Sequence, residues 1–361
     1  MKYPALTICR SKVLSNACKV RELCSKKNIE VWGVTKGLSG DPRLADIYRE
    51  AGFAGISDSR SLNLKKIRDS GNDLPRQLMR IAMRSELAEL PGVADVSLQS
   101  EVSTILELDR VCSSLGVFHE TLIMVDIGDL REGFWPNDLV YAGEALSNIS
   151  NVSITGIAAN FACASGVLPT MEKLDDLARY SDVLRESLGR NLPNISIGGT
   201  SCLKLLEGQT PPSAINQLRI CEGVLLGKDT AFMREIPYLD GTALAIHAEI
   251  VECKLKPSVP SGELGLQAFG EKPVFLDRGT RKRALLGIGR QDVNIDRLTP
   301  MQDGVSIITA SSDHMIVDVT DAASLRKDGC QPGDVLSFRP LYPAMLAAAT
   351  SEYVSVVFED K

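Results

Sequence analysis

The sequence has few histidines and no paired cysteine motif, which disfavours metal sites and a disulfide framework. Its three histidines, at positions 119, 247 and 314, are too few and too scattered to indicate a metal site. Its nine cysteines are odd in number and form no CxxC pair, so neither a disulfide framework nor a zinc knuckle is predicted. Most of the thiols are expected to be small core residues in a reducing compartment.

Long apolar runs and basic clusters are also missing. No segment approaches the roughly 20 apolar residues that a membrane span needs, and the opening residues MKYPALTICR lack the apolar core of a signal peptide. The net charge of −6 comes without a cluster of lysine and arginine, which argues against nucleic acid or an anionic membrane as a partner. We therefore expect a cytoplasmic protein that acts on a small molecule.

What the chain does have is the rhythm of a βα protein. Its 361 residues, 44% hydrophobic and 24% charged, suffice for one large core and a second domain. In the first two thirds of the chain, short β-branched apolar runs alternate with amphipathic helical stretches such as 170–188, which predicts a parallel sheet. Eight such runs are the number that closes a barrel. The predicted strands are 29–35, 54–58, 76–82, 95–99, 120–128, 153–161, 194–199 and 216–222.

The pattern changes after Gly227. Apolar runs such as ALAIHAEIVEC and HMIVDVT are broken by proline and glycine without long helices between them, which predicts a mostly-β second domain. The predicted fold class is α/β, an eight-stranded (β/α)8 barrel of the TIM type over 9–235 followed by a smaller β-rich C-terminal domain over 236–361. The early stretch 3–8 has no place among the barrel strands and is expected to add a strand to that second domain.

The stretch VWGVTKGLSGDP (31–42) places Lys36 at the tip of the first barrel strand. A lone lysine at a strand end is most often a solvated surface charge. Here Val31, Trp32 and Val34 make the preceding run apolar on both faces, which predicts burial, and a buried ammonium is costly unless it is neutralised. Desolvated lysines become the neutral amines that form Schiff bases, so Lys36 is predicted to carry a covalently bound cofactor.

The stretch SIGGTS provides a second part of such a site. Gly199 lets backbone N–H groups approach a ligand, and Thr200 and Ser201 lie where the next helix begins, so donors and the helix dipole can point at a phosphate. A tight turn with a serine N-cap is an equally good interpretation of this segment alone. Together with Lys36 it suggests pyridoxal 5′-phosphate, which needs one amine and one phosphate cradle.

Arg219 stands within a strand that is otherwise apolar. A buried guanidinium must face a carboxylate, a phosphate or a ring nitrogen, and an ion pair with an acid of the barrel is the simplest alternative. If Arg219 faces a pyridine nitrogen, it gives up no proton, because guanidinium stays protonated in proteins. The ring is then a weaker electron sink, which favours reprotonation at Cα over transamination and so indicates a racemase.

A set of motifs follows in order from about residue 3 to 357: VTKG, GISDSR, VDIGDLREGF, GIAANFACASGVLPT, IGGTS, LRICEGVLLG, GIGRQD, SSDHMIVDV and YPAMLAAATSEYV. The set resembles the ornithine-racemase-type branch of the alanine racemase family, which are fold-type III amino-acid racemases dependent on pyridoxal 5′-phosphate. The resemblance implies a barrel followed by a β domain, and a homodimer with its sites at the interface.

The resemblance also implies a role for each matching residue. Lys36 resembles the lysine that holds the cofactor as an aldimine, and Arg219 the arginine that faces the pyridine nitrogen. Arg131 matches an arginine that helps to hold the substrate carboxylate. Tyr342 resembles the tyrosine that reaches the phosphate from the β domain. The other residues implied at the cofactor are Asn160, Gly199, Thr200, Ser201 and Cys221.

The sequence departs from the family at several positions. In the family the second base is a tyrosine from the β domain. Here Arg290, in GRQD, occupies the position of that tyrosine. Arg290 is expected to be one of the substrate-binding residues. Asn160 stands where many fold-type III enzymes carry histidine, and Met124 where some carry a carbamylated lysine. Another titratable group must then act on the face opposite Lys36, and His314 is the candidate because imidazole titrates near neutrality.

The resulting hypothesis is racemisation of a free basic amino acid such as ornithine or lysine. Asp313, in a loop that enters the partner subunit's site in the family, is the expected carboxylate for the substrate ammonium, with Asp129, Glu132 and Glu222 as further candidates. Two alternatives remain open. One is a racemase for alanine, serine or another small amino acid, and the other is a non-catalytic protein that binds pyridoxal 5′-phosphate, although such proteins are usually a barrel alone.

Overall fold

The computed structural model describes residues 1–267, 269–270, 272, 274–325 and 330–360. It divides into two compact units. The larger unit is Ser11–Gly241, and the smaller unit joins Met1–Arg10 to Thr242–Lys361. The division falls after Gly241, whereas the sequence interpretation puts the domain boundary at 235. Within the described residues, no helix is long and apolar enough to cross a membrane.

Eight parallel strands close into a barrel in the larger unit, which confirms the predicted fold. Most of their residues are buried, as is typical of a parallel sheet covered on both faces. Strand β1 (Ala5–Cys9) precedes the barrel, and a short ribbon of β10 (Lys228–Asp229) and β11 (Arg234–Glu235) follows it. The barrel strands are β2 (Glu30–Val34), β3 (Gly55–Asp58), β4 (Arg76–Leu78), β5 (Val96–Gln99), β6 (His119–Met124), β7 (Val152–Asn160), β8 (Asn194–Gly198) and β9 (Gln217–Ile220).

Two of the barrel strands end four residues earlier than predicted. β4 ends at Leu78 and β6 at Met124, not at 82 and 128. Met79 and Ile81 lie beyond the end of β4 and still pack onto a core cluster that contains Leu122 and Met124. The hydrophobic run therefore marks burial, which continues into the loop, and not the extent of the strand.

The helices between the strands each bury one face. The longest, residues 171–188, begins after Thr170, whose hydroxyl accepts a hydrogen bond from the Lys173 N–H at 3.2 Å. It buries Leu174, Leu177 and Leu184, as an amphipathic helix does. The helices are α1 (Arg10–Ser25), α2 (Pro42–Glu50), α3 (Ser61–Asp69), α4 (Leu90–Val93), α5 (Val102–Leu115), α6 (Leu139–Leu146), α7 (Met171–Leu188), α8 (Cys202–Gly208), α9 (Glu222–Leu226) and α10 (Tyr342–Thr350).

The smaller unit is mostly β, as predicted. Its remaining strands are β12 (Leu244–Pro257), β13 (Thr280–Leu286), β14 (Leu298–Pro300), β15 (Ser306–Ala310), β16 (Met315–Asp318), β17 (Val335–Pro340) and β18 (Ser355–Glu359). β12 pairs antiparallel with β1, β13 and β17, and β1 also pairs in parallel with β18. Gly289 lets loops 289–292 and 311–314 touch, because a Cβ there would lie 1.9 Å from the Ser312 carbonyl oxygen.

Candidate active site

The carboxyl ends of the barrel strands bring together the predicted site residues of the larger unit. All eight strands run in one direction, so the residues that end them or follow them lie on one rim of the barrel. This rim is where loops gather and where side chains from different strands meet. The predicted residues at the rim are Lys36, Arg131, Asn160, Gly199, Thr200, Ser201, Arg219 and Cys221.

Lys36 is the first residue of a 3-10 turn (Lys36–Leu38) that follows β2. Val31, Trp32 and Val34 are buried as predicted, but Lys36 itself is half-buried. The predicted burial of Lys36 is therefore only partial. The reason is that β2 ends at Val34, so the turn already carries Lys36 past the buried layer of the barrel.

The thiol of Cys221 lies beside this turn. It accepts a hydrogen bond from the Gly37 N–H, and burial raises the pKa of Cys221 to about 12 against the opposing effect of the nearby Lys36 charge. Cys221 therefore stays protonated at neutral pH, and protonated thiols are poor nucleophiles. Its side chain packs against the start of the Lys36 turn.

Thr35, which precedes Lys36, is held by the neighbouring strand. Its hydroxyl donates to Oδ2 of Asp58 at 2.7 Å, and Oδ1 of Asp58 accepts from Nδ2 of Asn63 at 3.0 Å. Asp58 is fully buried, and burial raises its pKa while these hydrogen bonds act to lower it. The start of the Lys36 turn is therefore anchored to a buried carboxylate.

The glycine-containing turn after β8 leaves one buried hydroxyl without a partner. Gly199 has a φ of 117°, a backbone conformation that favours glycine. Oγ1 of Thr200 accepts a hydrogen bond from the Gly223 N–H at 3.0 Å, which ties this turn to the start of α9. The hydroxyl of Ser201 is buried and has no hydrogen-bond partner among the described residues. A buried hydroxyl of this kind indicates a position for a ligand or a water molecule.

Arg219 is 3% exposed, and its guanidinium donates to neutral oxygens. Nη2 donates to the Ala159 carbonyl and to Oδ1 of Asn160, both at 2.9 Å, and Nη1 donates to Oγ of Ser196. Burial lowers the pKa of Arg219 to about 10, so it is still a cation at neutral pH. Among the described residues, no carboxylate forms a salt bridge with Arg219. The alternative of an ion pair with a barrel acid is therefore wrong.

A hydrogen-bonded chain connects Arg219 to Arg131. Nδ2 of Asn160 donates to Oε1 of Glu132 at 2.8 Å, and the Glu132 carboxylate also accepts from both Nε and Nη2 of Arg131. Asn160 thus bonds to a guanidinium through its oxygen and to a carboxylate through its nitrogen. The structure brings together three of the predicted site residues in this chain, and Glu132 joins them.

Three barrel carboxylates that were candidates for binding a substrate ammonium already have partners within the protein. Asp129 is 4% exposed and accepts hydrogen bonds of 2.8 to 3.2 Å from backbone N–H groups in 163–167. Glu132 forms the chain just described, and Glu222 accepts from the hydroxyl and N–H of Thr230. Because Asp129 is buried and holds a loop of its own chain, the expectation that it binds the substrate is wrong.

The smaller unit carries the remaining predicted residues. Asp313 and His314 are exposed, Arg290 is half-buried, and Tyr342 begins α10. Oδ1 of Asp313 accepts a hydrogen bond from Nε2 of Gln291 at 2.5 Å. Loops 289–292 and 311–314 touch, so Arg290, Asp313 and His314 lie on one edge of this unit.

Sequence reasoning missed Ser196 and Thr35. Ser196 contacts Arg219 because β8 and β9 are neighbours whose register pairs Ser196 with Gln217. Polar residues inside otherwise apolar strands are the signal that would have drawn attention to Ser196, since buried polar groups need partners.

Comparison with known proteins identifies the family. Residues 8–220 match the family described as alanine racemase, N-terminal domain. The chain belongs to the alanine racemase family. Enzymes of the alanine racemase family depend on pyridoxal 5′-phosphate, which is the cofactor that Lys36 and the glycine turn suggest.

Two relatives within the alanine racemase family match nearly the whole chain. A protein named lysine racemase, from Thermotoga maritima, is 39% identical over 359 residues, which is 99% of each chain. A protein named ornithine racemase, from Acetoanaerobium sticklandii, is 37% identical over 356 residues, which is 98% of each chain. These matches confirm the predicted resemblance to the ornithine-racemase-type branch.

A solved structure from the same family has the same fold. The alanine racemase of Clostridium difficile 630 aligns with a TM-score of 0.76 at 13% identity, and the alignment covers 100% of this chain and 97% of that one. At this level of identity the likeness concerns the fold alone. It confirms the plan of a parallel barrel followed by a mostly-β region.

Proposed function

We propose that this protein is a pyridoxal-phosphate-dependent racemase of a free basic amino acid such as lysine or ornithine. The observation that carries the proposal is the position of Lys36 in the turn directly after β2, beside β9, which carries Arg219 and is hydrogen-bonded to β2 with Trp32 paired to Arg219. The relatives named lysine racemase and ornithine racemase support a basic substrate over alanine or serine. The β-rich smaller unit disfavours a non-catalytic barrel protein.

The rim residues fit pyridoxal 5′-phosphate. The buried Ser201 hydroxyl has no partner among the described residues, and an oxygen of the phosphate would satisfy it. In this proposal Gly199, Thr200, Ser201 and the backbone at Cys221 hold the phosphate. Tyr342 adds a phenol to it. Lys36 holds the cofactor covalently, and Asn160 and Arg219 lie at its ring.

Bound pyridoxal 5′-phosphate withdraws electron density from the Cα of an amino acid and makes its Cα–H acidic. Lys36 is the amine that removes or returns this proton on one face of Cα. Arg131 binds the substrate carboxylate through a planar guanidinium suited to bidentate contact. Arg219 keeps its proton, because guanidinium does not act as an acid in proteins. This favours reprotonation at Cα over transamination.

The opposite face of Cα needs a second proton donor and acceptor. We infer that His314 has this role, that Asp313 binds the side-chain ammonium of the substrate, and that Arg290 lies beside them in the substrate site. Asp129 is buried and Glu222 is half-buried, whereas Asp313 is exposed although it accepts from Gln291, and this exposure makes Asp313 the stronger candidate. In this proposal the protein is a cytoplasmic homodimer in which residues 290–315 of one subunit complete the site of the other.

Proton exchange in heavy water tests the activity and the substrate together. Lysine, ornithine and alanine are incubated separately, and Cα deuterium and loss of optical purity are measured. We expect faster exchange of lysine or ornithine than of alanine, and none with Lys36→Ala. No exchange with any of them contradicts the racemase, and a clear preference for alanine contradicts the substrate.

Variants of the smaller unit test the roles assigned to its loops. Asp313→Asn should reduce the preference for basic amino acids, whereas Asp303→Asn, at an exposed aspartate of the same unit, should not. His314→Ala should slow one stereochemical direction of exchange more than the other. Equal slowing in both directions contradicts the assignment of His314, and a fully active monomer by light scattering contradicts the shared site.

Borohydride reduction followed by peptide mapping tests the cofactor separately from the substrate. The proposal expects a reduced pyridoxyl group on Lys36 and on no other lysine. A label on a different lysine, or no label after incubation with pyridoxal 5′-phosphate, contradicts the assignment of Lys36.

A further inference from the structure

Glu132 connects the two arginines of the proposed site. Its carboxylate accepts hydrogen bonds from Nε and Nη2 of Arg131 and from Nδ2 of Asn160 at 2.8 Å. Oδ1 of Asn160 accepts from Nη2 of Arg219 at 2.9 Å. One carboxylate therefore faces one guanidinium directly and the second through a single amide.

This chain brings a carboxylate near the buried Arg219. Its guanidinium is 3% exposed, and its direct acceptors are neutral oxygens. A buried cation is costly unless opposite charge lies near. Burial lowers the pKa of Arg219, the Glu132 carboxylate acts to raise it, and the nearby Arg131 charge acts to lower it. The amide of Asn160 is polarised between the two groups, which strengthens both of its hydrogen bonds.

The backbone around Glu132 holds the carboxylate in place. Gly133 has a φ of 138°, and a Cβ there would lie 2.3 Å from the backbone nitrogen of Asp126. The Phe134 N–H donates to the Met124 carbonyl at 2.8 Å, and the Asp126 N–H donates to the Phe134 carbonyl at 3.0 Å. The loop that carries Glu132 is therefore hydrogen-bonded to the end of β6. This restricts the movement of the Glu132 side chain, so that it can orient the side chains it contacts.

We propose that Glu132 is a positioning residue that orients Arg131 toward the substrate carboxylate and, through Asn160, Arg219 toward the cofactor ring. The inference rests on the proposed function. In this inference Glu132 binds other side chains of the site and does not contact the substrate ammonium directly. Glu132 therefore sets the geometry of two cationic groups that act on different parts of the reacting molecule.

Glu132→Gln tests the proposal because it keeps the shape of the side chain and removes its charge. We expect the KM for lysine or ornithine to rise about tenfold, the effect of losing one charge-assisted hydrogen bond, with a smaller change in kcat. The dissociation constant for pyridoxal 5′-phosphate, measured by absorbance titration of protein stripped of cofactor, should also rise about fivefold to tenfold. Glu144→Gln, the same change at an exposed glutamate on α6, should alter neither quantity.

Asn160→Ala separates the two branches of the chain. It interrupts the path to Arg219 and leaves the Arg131–Glu132 pair intact, so cofactor affinity should fall by a larger factor than the KM rises. The double variant Glu132→Gln/Asn160→Ala should bind the cofactor no more weakly than whichever single variant has the lower cofactor affinity. The reason is that both changes break the same path. Independent, multiplying effects on cofactor affinity would overturn the proposal.

The remaining outcomes also test the role proposed for Glu132. If Glu132→Gln fails to fold, Glu132→Asp retains the charge, moves it away from Arg131, and should raise the KM by itself. An unchanged KM in that variant overturns the proposal. A wild-type protein that binds no pyridoxal 5′-phosphate and exchanges no Cα proton overturns both this inference and the proposed function. An active wild-type protein in which Glu132→Gln behaves like Glu144→Gln overturns this inference alone.

Discussion

The hydroxyl of Thr35 donates a hydrogen bond of 2.7 Å to Oδ2 of Asp58. The residue before Lys36 is thereby tied to the carboxylate that ends the neighbouring strand. Asp58 is fully buried, and it also accepts from Asn63 and from the Arg60 N–H. Removing one hydrogen-bond donor from a buried carboxylate lowers the free energy of unfolding. The anchor of the Lys36 turn therefore contributes to the stability of the barrel.

Thr35→Val should reduce the free energy of unfolding by about 1 to 3 kcal/mol, because it removes one donor from a buried carboxylate and nearly preserves the shape of the side chain. Urea unfolding measures the change. Thr210→Val is the matched control, since Thr210 is exposed, and surface changes of this kind are usually within about 0.5 kcal/mol. Equal unfolding free energies for the two variants would show that the Asp58 contact is not a stabilising one.

Asp129→Ala should open the loop 163–167 locally. In the wild type, its carboxylate accepts four backbone hydrogen bonds from this loop, and the variant leaves these donors to water. Hydrogen exchange of the amides in 163–167 should become about tenfold to a hundredfold faster, which corresponds to about 1.4 to 3 kcal/mol of lost protection. Asp138→Ala, at an exposed aspartate of the same unit, should leave exchange in 163–167 unchanged. Unchanged exchange in Asp129→Ala would contradict the structural role given to this residue.

His119 should make the protein less stable in mild acid. It is buried, its Nε2 lies 2.9 Å from Oγ of Ser97, and burial lowers its pKa to about 4. The unfolded state, with a pKa near 6.5, therefore binds a proton first as the pH falls. The stabilising contribution is complete above about pH 6.5 and is lost as the pH falls toward 4, to a total of about 3 kcal/mol.

Unfolding free energies at several pH values between 7 and 4 check this expectation. His119→Gln keeps a polar group near Ser97 but does not titrate in this range, so its stability should fall less steeply than that of the wild type. His314→Gln removes an exposed histidine and should follow the wild type. Parallel curves for all three proteins would contradict a buried neutral His119.

The barrel could be predicted because each strand is a short, mostly buried apolar run, of which NISIG in β8 is an example. The strand ends could not be predicted as well, since Met79 and Ile81 continue the hydrophobic pattern from a loop. An apolar run shows where the chain is buried. The hydrogen bonds between backbones determine where a strand ends. The two coincide in β8 and diverge after β4.

Arg219 was identifiable because an arginine interrupts an apolar strand, but its partners were not. Contact with Ser196 and with the Ala159 carbonyl depends on which strands are neighbours and on their register, which the local sequence does not contain. The same limit applies to Asp129. Whether its carboxylate faces a substrate or its own chain depends on how residues 163–167 fold back toward it.

Gly198 makes room for the contact between Asn160 and Arg219. A Cβ at this position would lie 2.5 Å from Oδ1 of Asn160 and 2.7 Å from Nη2 of Arg219. Neither group can move away freely, because Nη1 of Arg219 also donates to Ser196 and Nδ2 of Asn160 donates to Glu132. We expect Gly198→Ala to reduce the free energy of unfolding by about 2 to 4 kcal/mol, from overpacking and from the loss of a buried hydrogen bond.

The control for this prediction is Gly208→Ala, since no atom lies within 4 Å of a Cβ built on Gly208. It ends α8, where alanine in place of glycine should change stability by no more than about 1 kcal/mol, in the stabilising direction. Urea unfolding followed by the fluorescence of Trp32, which is buried in the strand that pairs with β9, compares the two variants. If Gly198→Ala is as stable as Gly208→Ala, Asn160 and Arg219 separate without cost, and the hydrogen-bonded chain from Arg219 to Glu132 is not a fixed part of the site.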